Sequence, residues 1–193
     1  MSFAQRTERY FSSFHKVLAA AEATDKGGGR MDLGKALEWA LETARAIHAR
    51  GDKVMFIGNG GSSAIASHMS EDFSKAAGIR AMCFTDAATL TCLGNDYGYQ
   101  HVYEKQIEWL GRKGDMLVAI SSSGKSPNIL RGVEAARAHK AEVLTLSGFE
   151  PDNPLRRMGD VNLYLPSKQY GFVEAGHLAL LSAVVDFAMG WKE

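Results

Sequence analysis

Five short apolar runs constrain the fold of this chain more than any other feature of its sequence. They span residues 54–57, 81–84, 116–120, 143–146 and 161–165. Turn residues and then a helical pattern follow each run, which is typical of strands that are buried on both faces and joined by helical crossovers. The pattern predicts an α/β protein with a three-layer, doubly wound parallel sheet of about five strands.

Two amphipathic helices are predicted ahead of the first run, over residues 3–22 and 31–50. In both, apolar side chains recur at three- and four-residue spacing. A run of three glycines at 27–29 separates the helices, because consecutive glycines oppose helix propagation. Residues 1–50 are therefore expected to form an N-terminal helical arm within the same unit as an α/β domain at 51–193.

Composition narrows the class of protein further. The 193 residues are 46% hydrophobic and 23% charged, which supports one globular unit and excludes a disordered chain. The formal net charge is +0, so no overall field attracts nucleic acid or an anionic membrane, and neither partner is expected. The first residues lack the order of a signal peptide, and Cys83 and Cys92 are too few for a disulfide framework. We therefore expect a cytoplasmic protein.

Two loops rich in serine and glycine follow the first and third runs, at 58–63 (GNGGSS) and 121–126 (SSSGKS). Ligands of open parallel sheets bind beyond the carboxyl ends of the strands. Serine hydroxyls and the N–H groups of a helix N-terminus bind phosphate oxygens, and glycine lets the backbone approach a ligand. Neither loop has the frame of a nucleotide-binding motif, so a small phosphorylated ligand without a nucleotide is expected. The alternative is that these residues only cap helices and form turns.

Two histidine–carboxylate pairs are a second candidate for chemistry. His68 and Asp72 are four residues apart on one predicted helix, and Glu174 and His177 are three apart on another, so each pair shares a helix face. If the pairs converge, imidazole and carboxylate groups suit zinc or another divalent ion. The alternative is a set of surface ion pairs or a satisfied buried histidine.

Three motifs together resemble the sugar isomerase (SIS) domain: FIGNGGSS at 56–63, GNDYGY at 94–99 and ISSSGKSPN at 120–128. Within that family the chain is similar over nearly its whole length to the phosphoheptose isomerases. The resemblance implies an isomerase that interconverts sedoheptulose 7-phosphate and a D-glycero-manno-heptose 7-phosphate through an enediol. It also implies a homotetramer with sites shared between subunits, and the apolar stripe of Phe3, Tyr10, Phe11 and Phe14 independently favours an interface.

The resemblance assigns roles residue by residue. It implies eight substrate-binding residues, which are Asn59, Gly60, Ser62, Asp86, Ser121, Ser122, Ser123 and Ser126. It puts Asp72 at the position of the base of proton transfer, and His177, one turn away from the position of the family's histidine, is the candidate partner. The residues expected to hold the divalent ion are His68, Asp72, Glu174 and His177.

The chain departs from the family pattern at four positions. Asp72 stands where the family has glutamate, Ser182 stands where it has the catalytic histidine, and in the serine loop at 121–126 Ser122 replaces a threonine and Lys125 an asparagine. The differences at Asp72 and Ser182 favour an alternative, a non-catalytic SIS module that binds a sugar phosphate or a protein partner. The polar residues Glu174 and His177 in an otherwise apolar helix favour an active site instead. A third alternative is an isomerase of another ketose phosphate.

Overall fold

The computed structural model describes residues 1–192, which form one seven-stranded sheet covered by helices. The strands are β1 (Glu22–Asp25), β2 (Arg30–Met31), β3 (Val54–Gly58), β4 (Ala81–Cys83), β5 (Met116–Ser121), β6 (Glu142–Gly148) and β7 (Val161–Leu165). Their order across the sheet is β2-β1-β7-β6-β5-β3-β4. The five strands from β7 to β4 run parallel. The predicted parallel sheet is thus confirmed.

Seven α-helices accompany the sheet. They are α1 (Phe3–Ala19), α2 (Leu33–Ala49), α3 (Gly61–Lys75), α4 (Ala87–Asp96), α5 (Val102–Leu110), α6 (Pro127–Ala138) and α7 (Tyr170–Ala188). One apolar core joins α2, α3 and α7 to the sheet, and a second joins α4, α5 and α6 to it. Successive residues of β3 divide between these cores, with Phe56 in the first and Ile57 in the second, as the alternation of side chains along a strand requires. The molecule therefore has the three layers that the sequence predicts.

A two-stranded hairpin at one edge of the sheet was not predicted. The helices predicted at 3–22 and 31–50 are too long at the ends that face each other, because β1 and β2 occupy part of both ranges. The Asp25 carboxylate accepts hydrogen bonds from the backbone N–H groups of Gly27 and Gly29, each at 2.9 Å, and so closes the turn. Strand β1 then pairs antiparallel with β7 and extends the sheet by two strands.

The two N-terminal helices differ in how they are packed. Helix α2 buries six residues against the sheet and α7, whereas α1 buries none. Helix α1 rests on α7, where the rings of Tyr10 and Phe14 lie 4.8 and 5.7 Å from that of Phe172. The side chains of Phe3 and Phe11 remain 81% and 63% exposed. Helix α2 is thus a layer helix of the α/β unit, and α1 alone lies outside the layers.

Helix α7 is long and apolar enough, by length and composition alone, to cross a membrane. In the fold it packs on α2 and α3, and residues such as Leu181 and Val184 are buried in the core. Such a helix is also typical of the core of a globular protein, so its apolar character is explained by this packing.

Candidate functional site

A cavity of about 120 Å³ lies at the carboxyl ends of β3 and β5. It is lined by Asn59, Ser62, Ile120, Ser121, Ser122, Ser123, Ser126, Tyr170 and Glu174. Six of the eight residues expected to bind substrate are in this set, all but Gly60 and Asp86. The structure thus brings the two predicted loops to one place.

A larger cavity, of about 330 Å³, lies at the opposite ends of the strands, near the amino ends of β3 and β5. The Lys53 ammonium there pairs with the Asp115 carboxylate at 2.6 Å and donates to the Leu110 carbonyl at 2.7 Å. Its two most buried charged groups therefore already have partners. We place the candidate site in the smaller cavity, because ligands of parallel sheets bind at the carboxyl ends of the strands.

The serine loop, residues 121–126, contains hydroxyls that have hydrogen-bond partners and one that has none among the described residues. Ser121 Oγ accepts from the Gly124 N–H at 3.2 Å, and Ser123 Oγ accepts from the Lys125 N–H at 3.3 Å. Ser122 is 5% exposed and its Oγ has no hydrogen-bond partner among the described residues. A buried hydroxyl without a partner is costly, and because almost none of this oxygen is accessible, a ligand in the cavity can bond to it only after the loop shifts.

The first loop turns sharply before α3. Gly60 has a φ of +54°, a backbone conformation that side chains disfavour, and it precedes the first residue of the helix. A Cβ on Gly61 would overlap the carboxylate of Glu174. Glycine at this position therefore lets a carboxylate from α7 lie against the amino end of α3, where the helix dipole attracts negative charge.

Asn59 joins the two loops through hydrogen bonds that sequence reasoning missed. Its side chain exchanges two hydrogen bonds with Asn128, at 2.9 and 2.8 Å, and accepts a third from the Tyr99 hydroxyl at 3.2 Å. The buried Tyr103 hydroxyl donates to the Gly58 carbonyl, and burial raises the pKa of Tyr103 to about 12. The signal for these contacts was present, since Tyr99 and Asn128 end two of the three motifs quoted above.

His177 does not line the cavity, although it was expected to take part in proton transfer. Its side chain is fully buried, and its Nε2 lies 3.0 Å from the Ser147 carbonyl oxygen. Burial lowers the pKa of His177 to about 4, so the ring is neutral at pH 7. The two side chains are about 60° apart around the axis of α7, and they meet different neighbours: Glu174 lies against Gly61 of α3, and His177 reaches Ser147 of β6.

The remaining predicted residues lie outside the cavity. On α3, His68 Nε2 is 3.4 Å from an Asp72 carboxylate oxygen, and the two side chains are 55% and 31% exposed. Asp72 is roughly 16 Å along the helix axis from Gly61 at 1.5 Å per residue. The Asp86 carboxylate caps α4, where hydrogen bonds from the Thr89 hydroxyl and N–H lower the pKa of Asp86.

The residues expected to hold a divalent ion do not form one site within a single chain. No group of three His, Cys, Asp or Glu side chains in residues 1–192 is arranged to hold a metal ion. His68 and Asp72 pair with each other, His177 is bonded to Ser147, and Glu174 lies against Gly61. The residues of one chain thus do not fit the predicted ion.

Comparison with known proteins shows where this arrangement belongs. The SIS domain model matches residues 9–148. A phosphoheptose isomerase of Bordetella avium is 36% identical over 190 residues, which cover 93% of each protein. The structure of the phosphoheptose isomerase from Neisseria gonorrhoeae superposes with a TM-score of 0.84 at 29% identity, covering 97% of this chain and 99% of that one. The enzyme from Francisella tularensis gives the same TM-score of 0.84 at 28% identity, with 97% and 98% covered. The chain therefore belongs to the SIS domain family, in which it is similar over nearly its whole length to the phosphoheptose isomerases.

Proposed function

We propose that this chain is a cytoplasmic isomerase that interconverts sedoheptulose 7-phosphate and a D-glycero-manno-heptose 7-phosphate. The relatives that share its whole length and fold are named for this reaction. The observation that carries the proposal in the chain itself is the serine-loop cavity, which four serines of that loop and Glu174 line. A phosphate oxygen can accept hydrogen bonds from serine hydroxyls at such a place.

The serine loop binds the phosphate in this proposal. Hydroxyls of Ser121, Ser122, Ser123 and Ser126 surround the cavity, and the loop leads into the first turn of α6. Hydrogen bonds to a charged group contribute about 1.5–3 kcal/mol each, and the positive end of the α6 dipole also favours an anion. The helix itself offers few N–H groups, because Pro127 has none and the Ile129 N–H donates to Asn128 Oδ1. The sugar then extends toward Asn59, Ser62 and Glu174, which line the rest of the cavity.

Isomerisation requires a base that removes a proton from one sugar carbon and returns it to the next. We propose Asp72 for this role, supplied by a neighbouring copy of the chain, because the distance along α3 separates it from the cavity of its own chain. Glu174 is the carboxylate of the chain's own cavity and orients the sugar hydroxyls. His177 supports α7 through Ser147 and touches no substrate.

Shared sites require an oligomer, and we propose a homotetramer. The exposed Phe3 and Phe11 of α1 offer apolar surface for such contacts. A zinc or other divalent ion stays a prediction for His68, Asp72 and Glu174, whereas His177 is buried and bonded to Ser147 and so lies away from them. The metal content of the purified oligomer, measured by mass spectrometry, tests the prediction. No step of the proposed reaction depends on that ion.

The burial of His177 favours one competing function, a module that binds sugar phosphate without chemistry. Incubation of the purified protein with sedoheptulose 7-phosphate, with and without zinc, decides between the two. We expect an aldose phosphate to form. Binding without any aldose would overturn the isomerase and leave the binding module.

A mixing experiment tests the shared site. We expect the Asp72→Asn and Ser123→Ala variants each to be impaired alone, and their co-expressed mixture to recover part of the activity. Recovery follows because some sites then combine an intact Asp72 from one copy with an intact serine loop from another. No recovery in a mixed oligomer would place both residues in the site of one chain.

A further inference from the structure

The side chain of Asn59 uses all but one of its hydrogen-bonding positions within the protein. Its Oδ1 accepts from Asn128 Nδ2 at 2.8 Å and from the Tyr99 hydroxyl at 3.2 Å, and its Nδ2 donates to Asn128 Oδ1 at 2.9 Å. A side-chain amide offers two lone pairs on oxygen and two hydrogens on nitrogen. Both lone pairs of Asn59 are therefore occupied, and one N–H is left.

A backbone group fixes the direction of this network. The Ile129 N–H donates to Asn128 Oδ1 at 3.0 Å. Because a backbone N–H can only donate, the Asn128 side-chain atom beside the Ile129 N–H must be the oxygen. The Asn128 nitrogen is then the atom that faces Asn59 Oδ1. Asn59 must in turn present its oxygen to Asn128 Nδ2, and the Tyr99 hydroxyl must donate to that same oxygen.

We propose that Tyr99 and Asn128 hold the Asn59 amide as a hydrogen-bond donor, whose one free N–H binds an acceptor oxygen of the sugar. This inference rests on the proposed isomerase function, in which the acceptor is the carbonyl oxygen that becomes an enediolate oxygen. Asn59 lines the cavity beside the serine loop, so its side chain lies at the site. A fixed donor aimed at an oxygen that gains negative charge lowers the barrier to reaction.

Tyr99 is the positioning residue of this arrangement. Its side chain is 58% exposed, so its ring contributes little to the core. Its hydroxyl reaches the first loop from the segment after α4, and it occupies the second lone pair of Asn59 Oδ1. Without that hydroxyl, Asn59 has a free acceptor as well as a donor, and the amide is held by Asn128 alone.

Tyr99→Phe tests the inference because it removes only this hydroxyl from an exposed side chain. We expect kcat/KM for isomerisation to fall three- to tenfold, about the effect of one neutral hydrogen bond, with most of the change in kcat. Asn59→Asp replaces the donor by an acceptor and should lower kcat/KM by about 10²-fold, as the loss of an oxyanion donor does. Affinity for inorganic phosphate, measured by calorimetry, should not change in Tyr99→Phe, and it should fall in Asn59→Asp because the new carboxylate repels the anion.

Tyr97→Phe is the matched control. Tyr97 lies in the same motif, its side chain is 50% exposed, and its hydroxyl makes no hydrogen bond within residues 1–192. We expect this variant to match the wild type in turnover, affinity and melting temperature. Tyr99→Phe should have the same melting temperature and phosphate affinity as Tyr97→Phe, but a lower turnover.

The outcomes separate this inference from the proposed function. If the wild type isomerises the sugar and Tyr99→Phe equals Tyr97→Phe, the inference alone is overturned. If the wild type binds sedoheptulose 7-phosphate without turnover, the isomerase fails, and the inference then requires Tyr99→Phe to weaken sugar-phosphate affinity three- to tenfold while phosphate affinity holds. A wild type that binds no sugar phosphate overturns both.

Discussion

The serine-loop cavity and the His68–Asp72 pair carry the two halves of the expected chemistry, and they are built very differently. Residues from β5, α3, α7 and the loops after β3 and β5 meet at the cavity, and hydrogen bonds such as those between Asn59 and Asn128 fix its wall. The pair is a single contact of 3.4 Å between neighbouring turns of one half-exposed helix face, a type of contact that contributes little by itself. In the proposed function, substrate binding is therefore organised within one chain, while proton transfer by Asp72 depends on a second.

The largest expected effect separates these halves directly. Asp72→Asn removes the charge and basicity of the proposed base and keeps its shape, so turnover should fall by about 10²–10⁴-fold. Affinity for sedoheptulose 7-phosphate, measured by calorimetry, should stay close to that of the wild type because the serine loop is intact. Glu71→Gln is the control, since Glu71 is exposed and reaches only Lys75, at 4.0 Å. Full activity in Asp72→Asn would assign the base to another residue.

The next effect concerns the cavity. Ser122→Ala should weaken sugar-phosphate affinity by about 1.5–3 kcal/mol, the contribution of a hydrogen bond to a charged group. The free protein should be as stable as the wild type or more stable, because the lost hydroxyl has no partner in residues 1–192. Ser123→Ala and Ser126→Ala should weaken affinity by a similar amount. Unchanged affinity in all three variants would move the ligand out of this cavity.

A third prediction tests whether His177 lies outside both the serine-loop cavity and the His68–Asp72 pair, as its burial indicates. Its pKa is lowered to about 4 in the folded chain, against an ordinary 6.5, so below pH 6.5 the unfolded chain takes up a proton that the folded chain does not. The folded state should therefore lose up to about 1.4 kcal/mol per pH unit as the pH falls from 6.5 toward 4.

Urea denaturation of wild type and His177→Gln at several pH values measures this loss as a difference between the two proteins. His15→Gln, on the exposed surface of α1, should keep the wild-type dependence. The same acid sensitivity in His177→Gln and the wild type would mean that His177 is accessible to solvent protons, and would return it to the list of site residues.

The last effect is measured as a change in mass. Serine in place of Phe3 and Phe11 together should convert a tetramer into smaller species, because both side chains are exposed apolar surface in the single chain. Light scattering follows the mass, which is 21.0 kDa for one copy. The variant should keep phosphate affinity and lose turnover. A wild type that already has the mass of one copy would contradict the shared site.

The parallel strands could be predicted because each is a local apolar run, buried on both faces, with turn residues after it. The hairpin could not be predicted, because β1 is held by its pairing with β7, in which Glu22 lies opposite Tyr164. That partner is distant in the sequence, and a strand of four residues has too little local pattern to indicate it.

The candidate site also contains parts that could be predicted from local sequence and parts that could not. Glycines and serines after two strands indicated the cavity because strand ends and helix starts are local features. The position of His177 was not predictable from spacing, because α7 is apolar on nearly every side and its pattern does not indicate which face meets the sheet. The role of Asn128 required the contact between two loops that are far apart in the chain.

The edges of the sheet limit how copies of this chain can meet. One edge is β2, with two residues, and the other is β4, with three. Such short edges expose few free backbone N–H and C=O groups, so strand addition from another molecule gains few hydrogen bonds. Open-ended fibres, in which sheets of neighbouring molecules join edge to edge, are thus disfavoured at both edge strands. Association is left to the helical surfaces, where a closed assembly of fixed size can form.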